Sequence, residues 1–68
     1  MNARRIGDRL RELRGVFRSQ ADVAEAVGVT PAAISLYETG ERIPSDLVKI
    51  KLAEYYGTTV QELFFDQE

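Results

Sequence analysis

Between Ser19 and Gly40 the chain carries two sets of helix-start and helix-stop signals with almost nothing between them. Ser19 can cap a helix, and Asp22, three residues on, can answer it in a capping box; Gly28 can close that helix in a left-handed conformation. After Val29, Thr30 caps again and Pro31 takes the first helical position, where its missing N–H costs nothing and its fixed φ already suits a helix. Gly40 ends this second helix. The punctuation predicts helices over about Gln20–Val27 and Pro31–Thr39, joined by a very short turn. Helices so short and so closely joined cannot lie antiparallel with full side chains between them, so they cross steeply, as in a helix-turn-helix. Ala24 and Ala33 leave room for that crossing.

The rest of the chain reads as support. A first helix over about Ala3–Arg14 places Ile6, Leu10 and Leu13 on one stripe, with Arg4, Arg5, Arg9 and Arg11 off it and Arg14 at its border. Gly15 should close this helix, and Val16 with Phe17 should drop into the core; the alternative for Phe17 is an exposed contact residue. The second helix contributes Val23, Ala24 and Val27, and the third Ile34 and Tyr37. Ser45 can cap a fourth helix over about Asp46–Tyr56, which packs Val48, Leu52 and Tyr55 with help from Leu47 and Ala53, leaving Lys49 and Lys51 solvated. Thr59 with Glu62 forms another capping box for a last helix through Leu63 and Phe64. So small a core cannot easily bury both Phe64 and Phe65, so these adjacent rings are candidate dimer contacts; Phe65 folded back over the core edge is the alternative. Asp66, Gln67 and Glu68 make a frayed acidic end.

Sixty-eight residues suffice for one domain, expected to occupy 1–68. With no Cys and no His there is no disulfide, no ordinary zinc site and no catalytic imidazole, so no metal or cofactor is expected. No Gly-rich phosphate loop and no carboxylate pair of suggestive spacing is present, which argues against an enzyme. The Met-Asn-Ala-Arg-Arg start lacks a signal-peptide segment and no apolar run is long enough to span a bilayer, so a cytoplasmic location away from membranes is expected. The formal net charge of −2 is unevenly spread. Residues 1–18 hold six arginines against Asp8 and Glu12, whereas the remaining residues are net acidic. Such a polarised molecule can turn one face to phosphates and repel them with another.

The run Ser-Gln-Ala-Asp-Val-Ala, then Gly-Val-Thr, Ile-Ser, Tyr-Glu and Gly-Glu-Arg-Ile-Pro, resembles the phage-repressor and xenobiotic-response-element type of helix-turn-helix, and the match runs from about Ile6 to Phe64. The resemblance implies a compact, all-α, five-helix, lambda-repressor-like domain whose third helix enters the major groove of double-stranded DNA. It also implies a structural ion pair between Arg14 and Glu38; the alternative for Arg14 is a surface arginine favourable to the helix dipole.

On that docking, Arg18, Ser19, Gln20, Arg42 and Ser45 would meet the phosphate backbone, aided by open N–H groups at helix N-termini. Pro31, Ala32, Ser35, Leu36 and Thr39 would face the bases, with Gln20 able to reach in, and Thr30 is a further candidate DNA contact. Ser19 could instead serve only as a cap, Arg42 could be solvated, and Leu36 could belong to a protein-contact patch. The outward set of the third helix is poor in side chains for bidentate base readout, leaving thymine methyl contacts, Ser35 and DNA shape. The expected function is a sequence-specific DNA-binding regulator, a repressor acting as a homodimer on an inverted repeat with no small-molecule effector. The alternative is a protein-interaction module on the same fold, of antitoxin or anti-regulator type, with a protein partner.

Overall fold

The computed structural model describes residues 2–65. Four α-helices follow in order, α1 (Ala3–Arg14), α2 (Gln20–Val27), α3 (Pro31–Thr39) and α4 (Asp46–Tyr56), then one wide π-type turn, α5 (Gln61–Phe65). The expected acidic end at Asp66, Gln67 and Glu68 lies outside the described residues.

Local chemistry sets the boundaries. The Asn2 side chain caps α1 by accepting from the amides of Arg4 and Arg5, a start signal that the apolar periodicity alone does not reveal. Ser19 and Asp22 form the full capping box of α2, and Thr30 and Ser45 each accept an N–H from the first turn of α3 and α4. Gly28 and Gly40 close α2 and α3 with φ of 78° and 83°, a region costly to any residue with a Cβ.

The core is one cluster: Ile6 and Leu10 of α1, Val23, Ala24 and Val27 of α2, Ala33, Ile34 and Tyr37 of α3, Leu52 and Ala53 of α4, and Leu63 and Phe64 of α5. Gly7 lets α1 come close to α3. A Cβ built there would lie 2.4 Å from the carbonyl oxygen of Glu38, so α1 rests directly on the backbone of the last turn of α3.

Four packing expectations need correction. Val16 and Phe17 are 89% and 96% exposed rather than buried. The Arg14 side chain crosses to Glu38 of α3 and also donates to the Arg18 carbonyl, so the loop is held by polar contacts while its tip stays outside. Leu47 is 61% exposed while Lys49 is buried, the reverse of the expected pair, because Lys49 lies against the Phe64 and Phe65 rings. The lysine ammonium lies 5.9 Å and 5.4 Å from the Phe64 and Phe65 ring centroids and 3.6 Å from Asp46. Phe64 is wholly buried, so it is not a surface contact; Phe65 alone of that pair stays half exposed. Leu13 lies at the edge of the core, more exposed than Ile6 and Leu10 on the same stripe.

Candidate nucleic-acid interface

The unit made by α2, the Gly28–Thr30 turn and α3 is tied to α1 through one side chain. Glu38, in the last turn of α3, is only 3% exposed, and its carboxylate accepts three hydrogen bonds. Arg14 Nε donates to Oε2 at 2.7 Å and Arg14 Nη2 to Oε1 at 3.0 Å, the fork-to-fork arrangement that charge-assisted pairs favour. Gln20 Nε2, from the first residue of α2, donates to Oε1 at 3.1 Å. The Glu38 backbone carbonyl accepts from Arg11 Nη2 at 3.3 Å. Helices α1, α2 and α3 therefore converge on Glu38, and the structural ion pair is present.

Electrostatics follow from this packing. The hydrogen bonds to Glu38 push the Arg14 guanidinium above its ordinary range, with burial opposing the shift. Burial, reinforced by the charge of Glu38 and by Tyr55, pushes the Tyr56 phenol up from 10.0 to about 12, against the pull of Arg18 and Arg14.

The predicted contact residues fall into distinct settings. Pro31, Ala32 and Thr39 are exposed on α3, whereas Ser35 and Leu36 are only half exposed. The Thr39 hydroxyl lies 3.1 Å from the Leu36 carbonyl and 2.9 Å from a Glu41 carboxylate oxygen, so its single proton already has acceptors within the chain. Thr30 and Ser45 are exposed, and their oxygens serve as caps. The Ser19 N–H donates to Asp22 Oδ2 at 3.0 Å. That amide is thereby used, and the carboxylate places negative charge where a phosphate was expected; the amides of Gln20 and Ala21 remain open in the first turn.

Arg42 is exposed and forms no ion pair among the described residues, while its amide is held by the Leu36 carbonyl at 3.2 Å. Arg18 lies with its guanidinium 5.2 Å and 5.4 Å from the Tyr55 and Tyr56 ring centroids, carried on an aromatic edge at the end of α4. Sequence reasoning missed that platform, and also Arg11 and Gly7 around Glu38. A glycine inside a helical pattern was the available signal for Gly7. Among the described residues no His, Cys, Asp and Glu cluster could hold a metal ion, and no helix is long and apolar enough to cross a membrane.

Comparison with known proteins agrees with this architecture. A helix-turn-helix family model matches residues 9–63. The chain is 31% identical over 62 residues to the uncharacterized HTH-type transcriptional regulator YgzD of Bacillus subtilis (strain 168), covering 90% of this chain and 94% of that one. Among solved structures it is similar to the restriction-modification controller protein C.AhdI from Aeromonas hydrophila, with TM-score 0.82 and 33% identity over 91% of this chain and 96% of that one. It is also similar to the P22 c2 repressor solved in complex with a synthetic operator, with TM-score 0.84 and 28% identity over 88% of this chain and 92% of that one. With its capped α2–turn–α3 unit held on α1 through Glu38, the chain belongs to the phage-repressor and xenobiotic-response-element type of helix-turn-helix, a family of DNA-binding transcriptional regulators.

Proposed function

We propose that the protein is a repressor that binds an inverted-repeat operator as a homodimer, with α3 in the major groove of each half-site and polymerase excluded by occupancy. The observation that carries this reading is the rigid mounting of α3. Its inner face is locked to α1 and α2 through Glu38, while Pro31, Ala32 and Thr39 stay exposed on it and the exposed Arg42 follows it. Pro31, Ala32, Ser35, Leu36 and Thr39 meet bases; Arg18, Arg42, Ser45 and the open amides of Gln20 and Ala21 meet the backbone. The P22 c2 repressor, solved with a synthetic operator, and the restriction-modification controller protein C.AhdI supply the analogy. The protein acts by binding, without catalysis, in the cytoplasm.

A second copy fits an inverted repeat: the longest extent of the described residues is 28 Å, shorter than the roughly 34 Å between successive major grooves, so one subunit does not span two half-sites. The exposed apolar side chains of Leu47, Ile50 and Phe65 provide the surface for the second copy. Leu47→Glu together with Ile50→Glu should leave a folded monomer in sedimentation and weaken operator binding steeply; an unchanged oligomeric state removes this surface.

Selection from a pool of random duplex DNA at two salt concentrations, with sequencing of the retained fraction, tests the whole reading. Recovery of an inverted repeat with half-sites one helical turn apart supports it. Arg42→Ala should weaken binding to all sequences alike and lower the salt slope by about one; unchanged affinity and slope discard the docking.

The exposed Val16–Phe17 tip favours one second reading, a module that binds another protein. It would gain if Leu36→Glu abolished a protein complex while sparing DNA binding.

A further inference from the structure

The Lys49 side chain is only 10% exposed, yet its ammonium donates no hydrogen bond among the described residues. The Phe64 and Phe65 ring centroids lie 5.9 Å and 5.4 Å away. Rings attract the charge, but they are poor acceptors for its three N–H donors. The Asp46 carboxylate oxygen, at 3.6 Å, is too distant for a hydrogen bond. No side-chain polar atom of the described residues is both sealed and without a hydrogen-bond partner, so the ammonium opens onto the surface. In the free chain that opening lets water serve it.

The opening lies among exposed apolar side chains. Leu47 and Ile50 of the same helix are 61% and 47% exposed, and Phe65, against Lys49, is 51% exposed. A second copy that covers them strips the water from the ammonium, a heavy cost unless an oxygen takes its place. The second copy carries such an oxygen, because the Asp46 side chain is 99% exposed. Asp46 and Lys49 are three residues apart, about 4.5 Å along the helix axis. A two-fold passing beside Leu47, between them in sequence, sets Asp46 of each copy opposite Lys49 of the other. We infer that Lys49 and Asp46 form two reciprocal charge-assisted hydrogen bonds across the dimer axis, and that this pair makes the chain select a second copy of itself. The inference rests on the homodimer reading and deepens it.

The apolar side chains supply contact area, and the charges supply choice. A different chain presenting only apolar groups would leave the ammonium dry and without an acceptor, so it is rejected. One presenting a cation is repelled. The contact of Asp46 with Lys49 inside one chain is thereby exchanged, on assembly, for two contacts between chains.

Sedimentation of Asp46→Lys and Lys49→Glu, alone and mixed, tests the proposal, with thermal melts to establish that each variant folds. Asp46→Lys sets cation against cation across the axis, and Lys49→Glu sets carboxylate against carboxylate. Each alone should raise the dimer dissociation constant about tenfold or more. Mixed in equal amounts, the two present opposite charges at both crossings and should pair within about threefold of wild type. The contact inside one chain stays broken in both variants, so mixing can restore only a pair across the axis. Homodimers of either variant as tight as wild type overturn the proposal, as does a mixture no tighter than its components. If Lys49→Glu does not fold, carbodiimide coupling of mixed ordinary and heavy-nitrogen-labelled wild type decides. Lys49 joined to Asp46 of the other isotope is expected, and such links confined to a single isotope overturn the pair. A wild-type protein that stays monomeric at every concentration removes the homodimer reading and the pair together. A wild-type dimer with no rescue on mixing removes the pair alone.

Discussion

Arg14 and Glu38 meet through two parallel hydrogen bonds of 2.7 and 3.0 Å, across a separation of 24 residues, with the carboxylate almost wholly removed from water. The pair joins the end of α1 to the end of α3. Burial of both charges costs desolvation energy, so the value of the pair lies in keeping each charge satisfied.

Removing one partner therefore costs more than removing both. Arg14→Ala should destabilise the fold by about 3–5 kcal/mol, because Glu38 would be left charged and buried with only Gln20 as a side-chain donor. Arg14→Leu combined with Glu38→Leu should recover most of that loss in urea denaturation. A cost below about 1 kcal/mol for Arg14→Ala would mean that the pair is a surface contact.

Gly7→Ala separates propensity from packing by sign. In an isolated helix the change would stabilise by roughly 1 kcal/mol. Here the new Cβ would meet the Glu38 carbonyl at 2.4 Å, and backbone cannot move aside as a side chain can. We expect a net loss of about 1–3 kcal/mol and a lower Tm. A Tm equal to or above wild type would contradict the close approach of α1 to α3.

Tyr56 should give stability an alkaline limit. The phenol ionises near 10.0 when unfolded and near about 12 when folded, so between those values the folded state binds more protons and stability falls as pH rises. The contribution is complete below the unfolded value and gone above the folded one. Its size is on the order of 1 kcal/mol after discounting for the partial solvent exposure of the ring. Denaturation at about pH 9 and about pH 12 should show wild type losing more than Tyr56→Phe by that amount; parallel losses would place Tyr56 in water.

Phe17 and Phe64 should respond in opposite ways. Phe17→Ser should change stability by less than about 0.5 kcal/mol, since the ring touches mainly water. Phe64→Ala should cost about 3–5 kcal/mol through the cavity it leaves. Equal effects would mean that the loop tip packs onto the core.

The boundaries of α1 to α4 were legible because each rests on chemistry within a few residues: an N-cap oxygen reaching an amide two or three positions ahead, or a glycine taking a positive φ. The helix-turn-helix and its family were legible for the same reason. Val16, Phe17, Leu47 and Lys49 were misjudged because hydropathy ranks a side chain without knowing what competes for its space. Arg14 turned to Glu38 and the Arg18 carbonyl beside the first two, and the Phe64 and Phe65 rings met the lysine of α4.

Local caps and apolar spacing thus determined an all-α chain with a capped pair of crossing helices and a short list of residues able to meet DNA. Tertiary structure decided which of those residues are already occupied. Asp22 takes the Ser19 amide, two tyrosines carry Arg18, and Glu38 turns the Gln20 amide inward. Such assignments depend on groups that are distant in sequence and adjacent only after folding, where a donor must find an acceptor or bear the cost of burial alone.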